Sequence, residues 1–255
     1  MIIPKLRSPV VLVHGLFGFN ILGVGGMKLV DYFPGIGDLL TNAGNRVLVP
    51  SLSPTGGVPD RAQQLKDFLL THSPGEPVHL FAHSLGGLDS RYMISCLDMA
   101  PHVLSLTTIG TPHRGTSFAD WGVGRFERIA RPLMAMIGMP SQAFYDLTRA
   151  SCKTFNENVL DAPGVRYFSV SGKHDGHFLH PEWYLPYNIV LKEEGENDGI
   201  VSVASAHYGE HCDVWDDDHI RLVNWYHPIA HFRGKLQDPA PRYGALLRRL
   251  ADLGY

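Results

Sequence analysis

The sequence has few cysteines, no excess of basic residues and no long apolar run. Three cysteines occur in 255 residues, and their spacing fits no zinc motif, so we expect free thiols. Cys96 falls within a predicted helix, where we expect a buried side chain. A formal net charge of −3 gives no basic footprint. The composition therefore argues against a nucleic-acid partner.

No apolar segment is long enough to span a bilayer, and nothing ahead of the first predicted strand resembles a signal peptide. These features indicate an intracellular protein or a secreted protein in its processed form, and nothing indicates an oligomeric state. The sequence has neither internal repeats nor low-complexity segments. With 44% hydrophobic residues, the chain is long enough to bury a sizeable core. We take residues 1–255 as one domain.

Short apolar runs alternate with segments of helical periodicity along most of the chain. The predicted strands are 10–13, 46–49, 78–81, 103–109 and 165–169, and the predicted helices are 36–43, 61–70, 85–99 and 242–253. This alternation predicts an α/β fold with a mostly parallel central sheet flanked by helices.

Residues 113–160 interrupt the alternation, because they show helical periodicity without a clear strand. The segment has too many apolar side chains for a helix with one face on a core; they are Trp121, Phe126, Ile129, Leu133, Met134, Met136 and Ile137. It either packs on the edge of the sheet or forms a movable lid over an apolar binding site. We favour the lid.

Residues 82–87 read Ala-His-Ser-Leu-Gly-Gly and lie between a predicted strand and a predicted helix. Small residues two positions on either side of Ser84 are typical of a nucleophile elbow. The alternative is an ordinary serine in a glycine-rich turn. The strand–turn–helix context favours the nucleophile, and His83 is then expected to point away from the reaction centre.

A serine hydroxyl needs a base within hydrogen-bonding distance and an acid that orients the base. We predict Asp198, in Asn-Asp-Gly-Ile-Val, as the acid and His219 as the base. The alternatives are Asp175 for the acid and His211, His227 or His231 for the base. We expect residues 216–218, three consecutive aspartates, to form a solvated acidic loop.

Acyl transfer also needs donors for the oxyanion. We predict the backbone N–H groups of Leu85, directly after the nucleophile, and of Leu16, in the glycine-containing loop after the first strand. Residues 174–180 contain three histidines and an aspartate at close spacing. We favour a polar loop over a metal site there.

Together these motifs resemble the bacterial true lipases of the Pseudomonas and Burkholderia type. Residues 14–23 and 32–36 are similar to that family's oxyanion region, 110–116 to the segment before its lid, 167–172 to a later strand, and 197–201 and 218–219 to its acid and base motifs. The resemblance implies an α/β-hydrolase fold with a lid. It also implies Ser84, Asp198 and His219 as a catalytic triad, with Leu16 and Leu85 as oxyanion donors.

The sequence departs from this family at three positions. Ala82 replaces a glycine, Ala204 stands where the family has a disulfide cysteine, and Arg221 stands where an aspartate binds a structural calcium. We therefore predict no metal site and no cofactor.

The predicted function is a serine carboxylester hydrolase, a lipase or esterase acting on lipid-like esters and extending to polyesters at a lipid–water or polymer interface. The alternatives are an acyltransferase or thioesterase with the same triad, and a non-catalytic binding protein of the same fold.

Overall fold

The computed structural model describes residues 3–16, 31–123, 142–176, 183–225 and 238–255. Within these ranges six parallel strands form one sheet in the order β2-β1-β3-β4-β5-β6. The strands are β1 (Val10–Val13), β2 (Val47–Leu48), β3 (Val78–His83), β4 (Val103–Ile109), β5 (Arg166–Lys173) and β6 (His211–Asp216). The α/β class and the parallel sheet are confirmed.

Helices connect the strands and cover both faces of the sheet. They are α1 (Ile36–Asn42), α2 (Val58–His72), α3 (Leu85–Cys96), α4 (Gln142–Asp146), α5 (Arg149–Asn158), α6 (Tyr184–Glu194), α7 (Val203–Ala206) and α8 (Ala240–Asp252). The structure also contains two short 3₁₀ helices, Ala100–His102 and Arg221–Val223. Within the described ranges, none of the helices has the length and apolarity that crossing a membrane requires.

The central strands are buried on both faces, as expected for a parallel sheet between two helix layers. Val10 and Leu12 pack with α1 and α8 on one face, in a cluster that includes Leu246. Val11 and Val13 pack with α2 and α3 on the other face. Because side chains alternate across a strand, the run of valine and leucine in β1 supplies both cores.

Polar residues explain where the structure differs from the predicted elements. β6 was not predicted, because this edge strand (HCDVWD) is mostly solvent-accessible and lacks an apolar run. β5 continues four residues beyond the prediction, through residues 170–173, of which Ser171 and Lys173 are polar. Cys96 ends α3 and is exposed, so the prediction that it is buried is wrong; Cys152 and Cys212 are also free.

The predicted lid region is described only in part. Residues 117–123 are helical, and α4 and α5 lie within residues 142–158. Residues 124–141, which carry most of the apolar side chains on which the lid prediction rests, lie outside the described residues. The lid and the single-domain boundary stay predictions.

The strand order places a crevice at the carboxyl ends of β1 and β3. The chain goes from β1 outwards to β2 and then returns to the other side of β1 as β3. In open parallel sheets, ligands bind at such a reversal because the loops on either side of it run apart. The loop that begins at His14 follows β1, and Ser84 follows β3.

Candidate active site

Ser84 lies in a strained turn at the end of β3. Its backbone has φ 54° and ψ −128°, a conformation that costs a non-glycine residue on the order of 1–3 kcal/mol. The turn is held by its surroundings: the Ser84 N–H donates to Ile109 O at 2.9 Å, and Thr111 Oγ1 donates to Ser84 O at 2.8 Å. Strain that neighbouring groups enforce at one serine is typical of a functional position.

Gly86 lets the first turn of α3 pack directly on the end of β1. A Cβ added at Gly86 would lie 2.8 Å from His14 O and 2.9 Å from Val13 O. Backbone atoms cannot give way as a flexible side chain can. The small residue two positions after Ser84 is therefore required by this close approach, as the elbow motif predicts.

We expect Gly86→Ala to destabilise the protein by about 1–3 kcal/mol, because the added methyl group overpacks a backbone contact. The matched control is Gly37→Ala in α1, where an added Cβ meets nothing within 4 Å. That variant should gain about 0.4–1 kcal/mol, since alanine restricts the unfolded chain. Urea unfolding of both variants measures the difference, and a Gly86→Ala protein as stable as the wild type would contradict this packing argument.

The structure brings Ser84, His219 and Asp198 into one hydrogen-bonded chain. His219 Nε2 lies 3.0 Å from Ser84 Oγ, and His219 Nδ1 lies 2.7 Å from Asp198 Oδ2. All three side chains are buried or nearly so, and Ser84 is 8% exposed. This is the geometry in which a histidine can take the serine proton while a carboxylate fixes its tautomer.

The loop after α6 orients the Asp198 carboxylate. Its second oxygen, Oδ1, accepts hydrogen bonds from the N–H groups of Ile200 at 3.0 Å and Val201 at 2.8 Å. The His219 N–H in turn donates to Asp198 O at 2.8 Å. Asp198 and His219 are therefore fixed to each other through backbone as well as side chains, although 21 positions separate them.

Gly110, at the end of β4, leaves room for the acid and the base. It has φ +57°, and a Cβ there would lie 3.2 Å from both Asp198 Oδ2 and His219 Nδ1. No motif within a single segment indicates this requirement, because the colliding atoms come from the far end of the chain. Gly110 is thus a site residue that the sequence did not single out.

The predicted oxyanion donors lie on the two backbone segments that meet at Ser84. Leu85 is the first residue of α3, where the N–H has no partner within the helix. The loop of Leu16 approaches closely: a Cβ on Gly15 would lie 2.7 Å from Ser84 Cβ. Both predicted N–H groups therefore belong to backbone that borders the serine.

A buried arginine holds the loop after β1 from behind. Arg61 Nη2 donates to His14 O at 2.8 Å, and Arg61 Nε donates to Asp89 Oδ2 at 2.8 Å. Both side chains are fully buried. Arg61 falls on the apolar stripe of α2, beside Ala62 and Leu65. A charged residue on the apolar face of a predicted helix could have indicated a buried ion pair from the sequence alone.

His14 is neutral in this environment. Burial, followed by the charge of Arg61, lowers the pKa of His14 to about 4. Its Nε2 accepts the Leu52 N–H at 2.9 Å, and its Nδ1 donates to Gly15 O at 2.9 Å. Both ring nitrogens are engaged by backbone, so this side chain shapes the loop rather than providing a second base.

Among the described residues, the alternative acid and the one described alternative base do not join Ser84. The carboxylate of Asp175 pairs with His174 at 3.7 Å and is largely exposed, and His211 is exposed beside Asp213. His227 and His231 lie outside the described residues, as do His177 and His180 of the close-spaced histidine segment. Among the described residues there is no group of three or more His, Cys, Asp or Glu that could hold a metal ion.

The prediction of a solvated acidic loop at residues 216–218 is wrong for two of the three aspartates. Asp216 is exposed, but Asp217 and Asp218 are buried. Arg242 hydrogen-bonds Asp217, and Arg221 Nε lies 3.2 Å from Asp218 Oδ2. Burial raises the pKa of Asp218, which the nearby Arg221 opposes. Ion pairing offsets part of what these carboxylates lose when they leave water.

In the described part of the chain, these ion pairs leave no suitable site for the structural calcium ion of the Pseudomonas and Burkholderia type of lipase. Arg221 occupies the position at which that site needs a carboxylate, and its guanidinium also lies 3.7 Å from Asp217 Oδ1. A second cation against the same carboxylates would be repelled. The positive charge beside the His219 loop therefore comes from arginine side chains of this chain.

Comparisons with known proteins give the family. No family profile matches the chain. It is 34% identical over 224 residues to Triacylglycerol lipase 2 of Saccharomyces cerevisiae, across 82% of this chain and 65% of the yeast protein. It is 33% identical over 289 residues to a triacylglycerol lipase of Vibrio cholerae, across 98% of this chain and 89% of that protein.

The chain thus spans slightly less than two thirds of the yeast relative and most of the Vibrio relative. The crystal structure of mature Bacillus licheniformis lipase BlEst2 matches with a TM-score of 0.67 at 24% identity, across 91% of this chain and 92% of that one. This likeness supports the fold. The resemblance that the motifs indicated is confirmed, and the chain belongs to the bacterial lipases of the α/β-hydrolase superfamily.

Proposed function

We propose that the protein is a serine hydrolase of lipid-like carboxylic esters, with Ser84 as nucleophile, His219 as general base and Asp198 as its orienting acid. The observation that carries the proposal is the continuous hydrogen-bonded chain from Ser84 Oγ through the His219 ring to Asp198. Family membership supports ester hydrolysis as the reaction that this triad catalyses, because the yeast and Vibrio relatives are named triacylglycerol lipases.

In this mechanism Ser84 Oγ attacks the ester carbonyl while His219 Nε2 takes its proton. The charge on the resulting oxyanion is stabilised by the N–H groups of Leu16 and Leu85. His219 then protonates the leaving alcohol, and an acyl-enzyme forms on Ser84. Water, deprotonated by His219, attacks the acyl carbon and releases the carboxylic acid.

Asp198 stabilises the imidazolium form of His219 in both halves of the reaction. Its Oδ2 faces Nδ1, and its Oδ1 is already occupied by two backbone N–H groups. The carboxylate therefore needs no rearrangement when the positive charge develops. Such preorganisation is a large part of what distinguishes an active site from the same groups in water.

The substrate class is tested by acyl chain length. We expect kcat/KM for p-nitrophenyl octanoate to exceed that for the acetate by at least about tenfold, because each buried methylene contributes about 0.8 kcal/mol. Initial rates on acetate, butyrate, octanoate and palmitate esters, with an emulsified triacylglycerol and a polyester film as further arms, measure the preference. A maximum at acetate would contradict a lipid-like substrate.

An acyltransferase or thioesterase would use the same triad, so the nature of the acceptor is measured separately. With a long-chain alcohol present, a hydrolase releases mainly free acid and a transferase forms mainly the new ester. Rates on matched oxygen and sulfur esters of octanoate separate an esterase from a thioesterase. No observation on the described residues favours either alternative over hydrolysis.

A further inference from the structure

His83 directly precedes the nucleophile, and its side chain contacts the backbone of the proposed base. His83 Nε2 lies 2.9 Å from the carbonyl oxygen of His219, and His83 Nδ1 lies 2.7 Å from Tyr32 Oη. A carbonyl oxygen can only accept, so Nε2 carries the proton. Nδ1 must then accept the hydrogen bond that Tyr32 donates.

Tyr32 connects this contact to the loop after β1. Its hydroxyl oxygen lies 3.0 Å from the place that a Cβ on Gly15 would occupy, and its ring centroid lies 5.5 Å from that of His14. Burial raises the pKa of Tyr32 to about 12, opposed by a backbone hydrogen bond with Gly15 and by the charge of Arg61. A protonated tyrosine hydroxyl thus lies between His83 and the described start of the loop after β1. We call these residues, 14–16, the oxyanion loop because they include the predicted donor Leu16.

His83 is kept neutral by its surroundings. Burial, followed by the nearby His219, holds its pKa well below the usual range. The two ring centroids are 4.6 Å apart, so a charged His83 would repel the imidazolium that forms on His219 during the reaction. The Tyr32–His83 contact therefore requires one tautomer and one charge state.

We propose that Tyr32 and His83 are positioning residues that hold the backbone of His219 against the oxyanion loop, so that Nε2 stays within reach of Ser84 Oγ. The inference rests on the proposed function, in which His219 is the general base. Among the described residues, the His219 ring hydrogen-bonds to the side chains of Asp198 and Ser84. His83 adds a hydrogen bond to the carbonyl oxygen of the His219 peptide group. The effect is expected in kcat rather than in substrate binding, because small displacements of a base cost rate.

The test compares four variants by steady-state kinetics on p-nitrophenyl octanoate. His83→Leu, which can neither donate nor accept, should lower kcat by roughly 10- to 100-fold with KM within about twofold. His83→Gln should recover most of this loss, because its amide can donate to His219 O while its oxygen accepts from Tyr32. Tyr32→Phe should lower kcat by roughly 3- to 10-fold.

The matched control is Tyr167→Phe. Its partly buried hydroxyl accepts the Ala162 N–H at 3.0 Å and hydrogen-bonds to the Ser95 side chain. The variant loses these hydrogen bonds without touching His219, and kcat should stay unchanged. Equal kcat values for wild type, His83→Leu and Tyr32→Phe would overturn the inference. So would a loss in His83→Leu that His83→Gln does not recover at equal thermal stability. If His83→Leu does not fold, Tyr32→Phe against Tyr167→Phe decides.

A different variant tests the proposed function. A Ser84→Ala protein as active as the wild type would refute it whatever the His83 and Tyr32 variants do. A Ser84-dependent enzyme that is indifferent to Tyr32 and His83 would refute only the positioning role.

Discussion

Replacing Ser84 by alanine is expected to lower kcat for p-nitrophenyl octanoate by on the order of 10⁵- to 10⁶-fold, because removing a triad nucleophile has effects of that size. The variant keeps the Cβ that Gly15 packs against, so the loop after β1 should stay in place and KM should change little. Initial rates at high enzyme concentration, with thermal unfolding as the check on folding, measure the loss.

Ser90→Ala is the matched control for this substitution. Ser90 is also buried in α3, six residues beyond the nucleophile, and its hydroxyl donates to Gly86 O at 2.7 Å. Its loss should leave kcat within about threefold of the wild type, since such a hydrogen bond contributes about 1 kcal/mol to stability and touches no reacting atom. Comparable activity of Ser84→Ala and Ser90→Ala would refute the assignment of the nucleophile.

Asp198→Asn is expected to lower kcat by roughly 10⁴-fold while the fold is kept. The Ile200 and Val201 N–H groups already occupy Oδ1, so an asparagine must place its oxygen there and its NH₂ towards His219. That amide donates to Nδ1 and moves the imidazole proton to Nε2. His219 can then no longer accept the proton of Ser84. Rates over a range of pH, with a folded-state check, measure this loss.

The control for Asp198 is the acid that the sequence left as an alternative. Asp175→Asn changes a side chain that is 67% exposed and lies beside His174, and its kcat should stay within about twofold of the wild type. If Asp175→Asn lost activity while Asp198→Asn did not, the assignment of Asp198 as the orienting acid would be wrong.

Much of the fold follows from local patterns. The strands 10–13 and 103–109 have the predicted limits, because buried parallel strands read as short apolar runs between turn residues. β6 could not be found this way. It borders solvent, so its sequence carries little apolar signal, and its place in the sheet depends on pairing with β5.

The three proposed catalytic side chains were also found from local motifs, because each sits in a short segment whose backbone shape restricts its neighbours. Arg61, Gly110 and the Tyr32–His83 pair were not. Their roles depend on contacts between distant parts of the chain, such as Arg61 to Gly15 O across 46 positions and His83 to His219 O across 136 positions. No single segment carries that information.

Covalent labelling with diethyl p-nitrophenyl phosphate, followed by mass spectrometry of the intact protein and its peptides, tests directly whether Ser84 is the nucleophile. The Ser84 oxygen forms a bond to phosphorus, p-nitrophenolate leaves, and the serine proton passes to His219. We expect one diethyl phosphoryl group per chain, on the peptide that contains Ser84, and far slower labelling of Asp198→Asn. Labelling at another residue, or ester turnover that persists after Ser84 is fully modified, would contradict it.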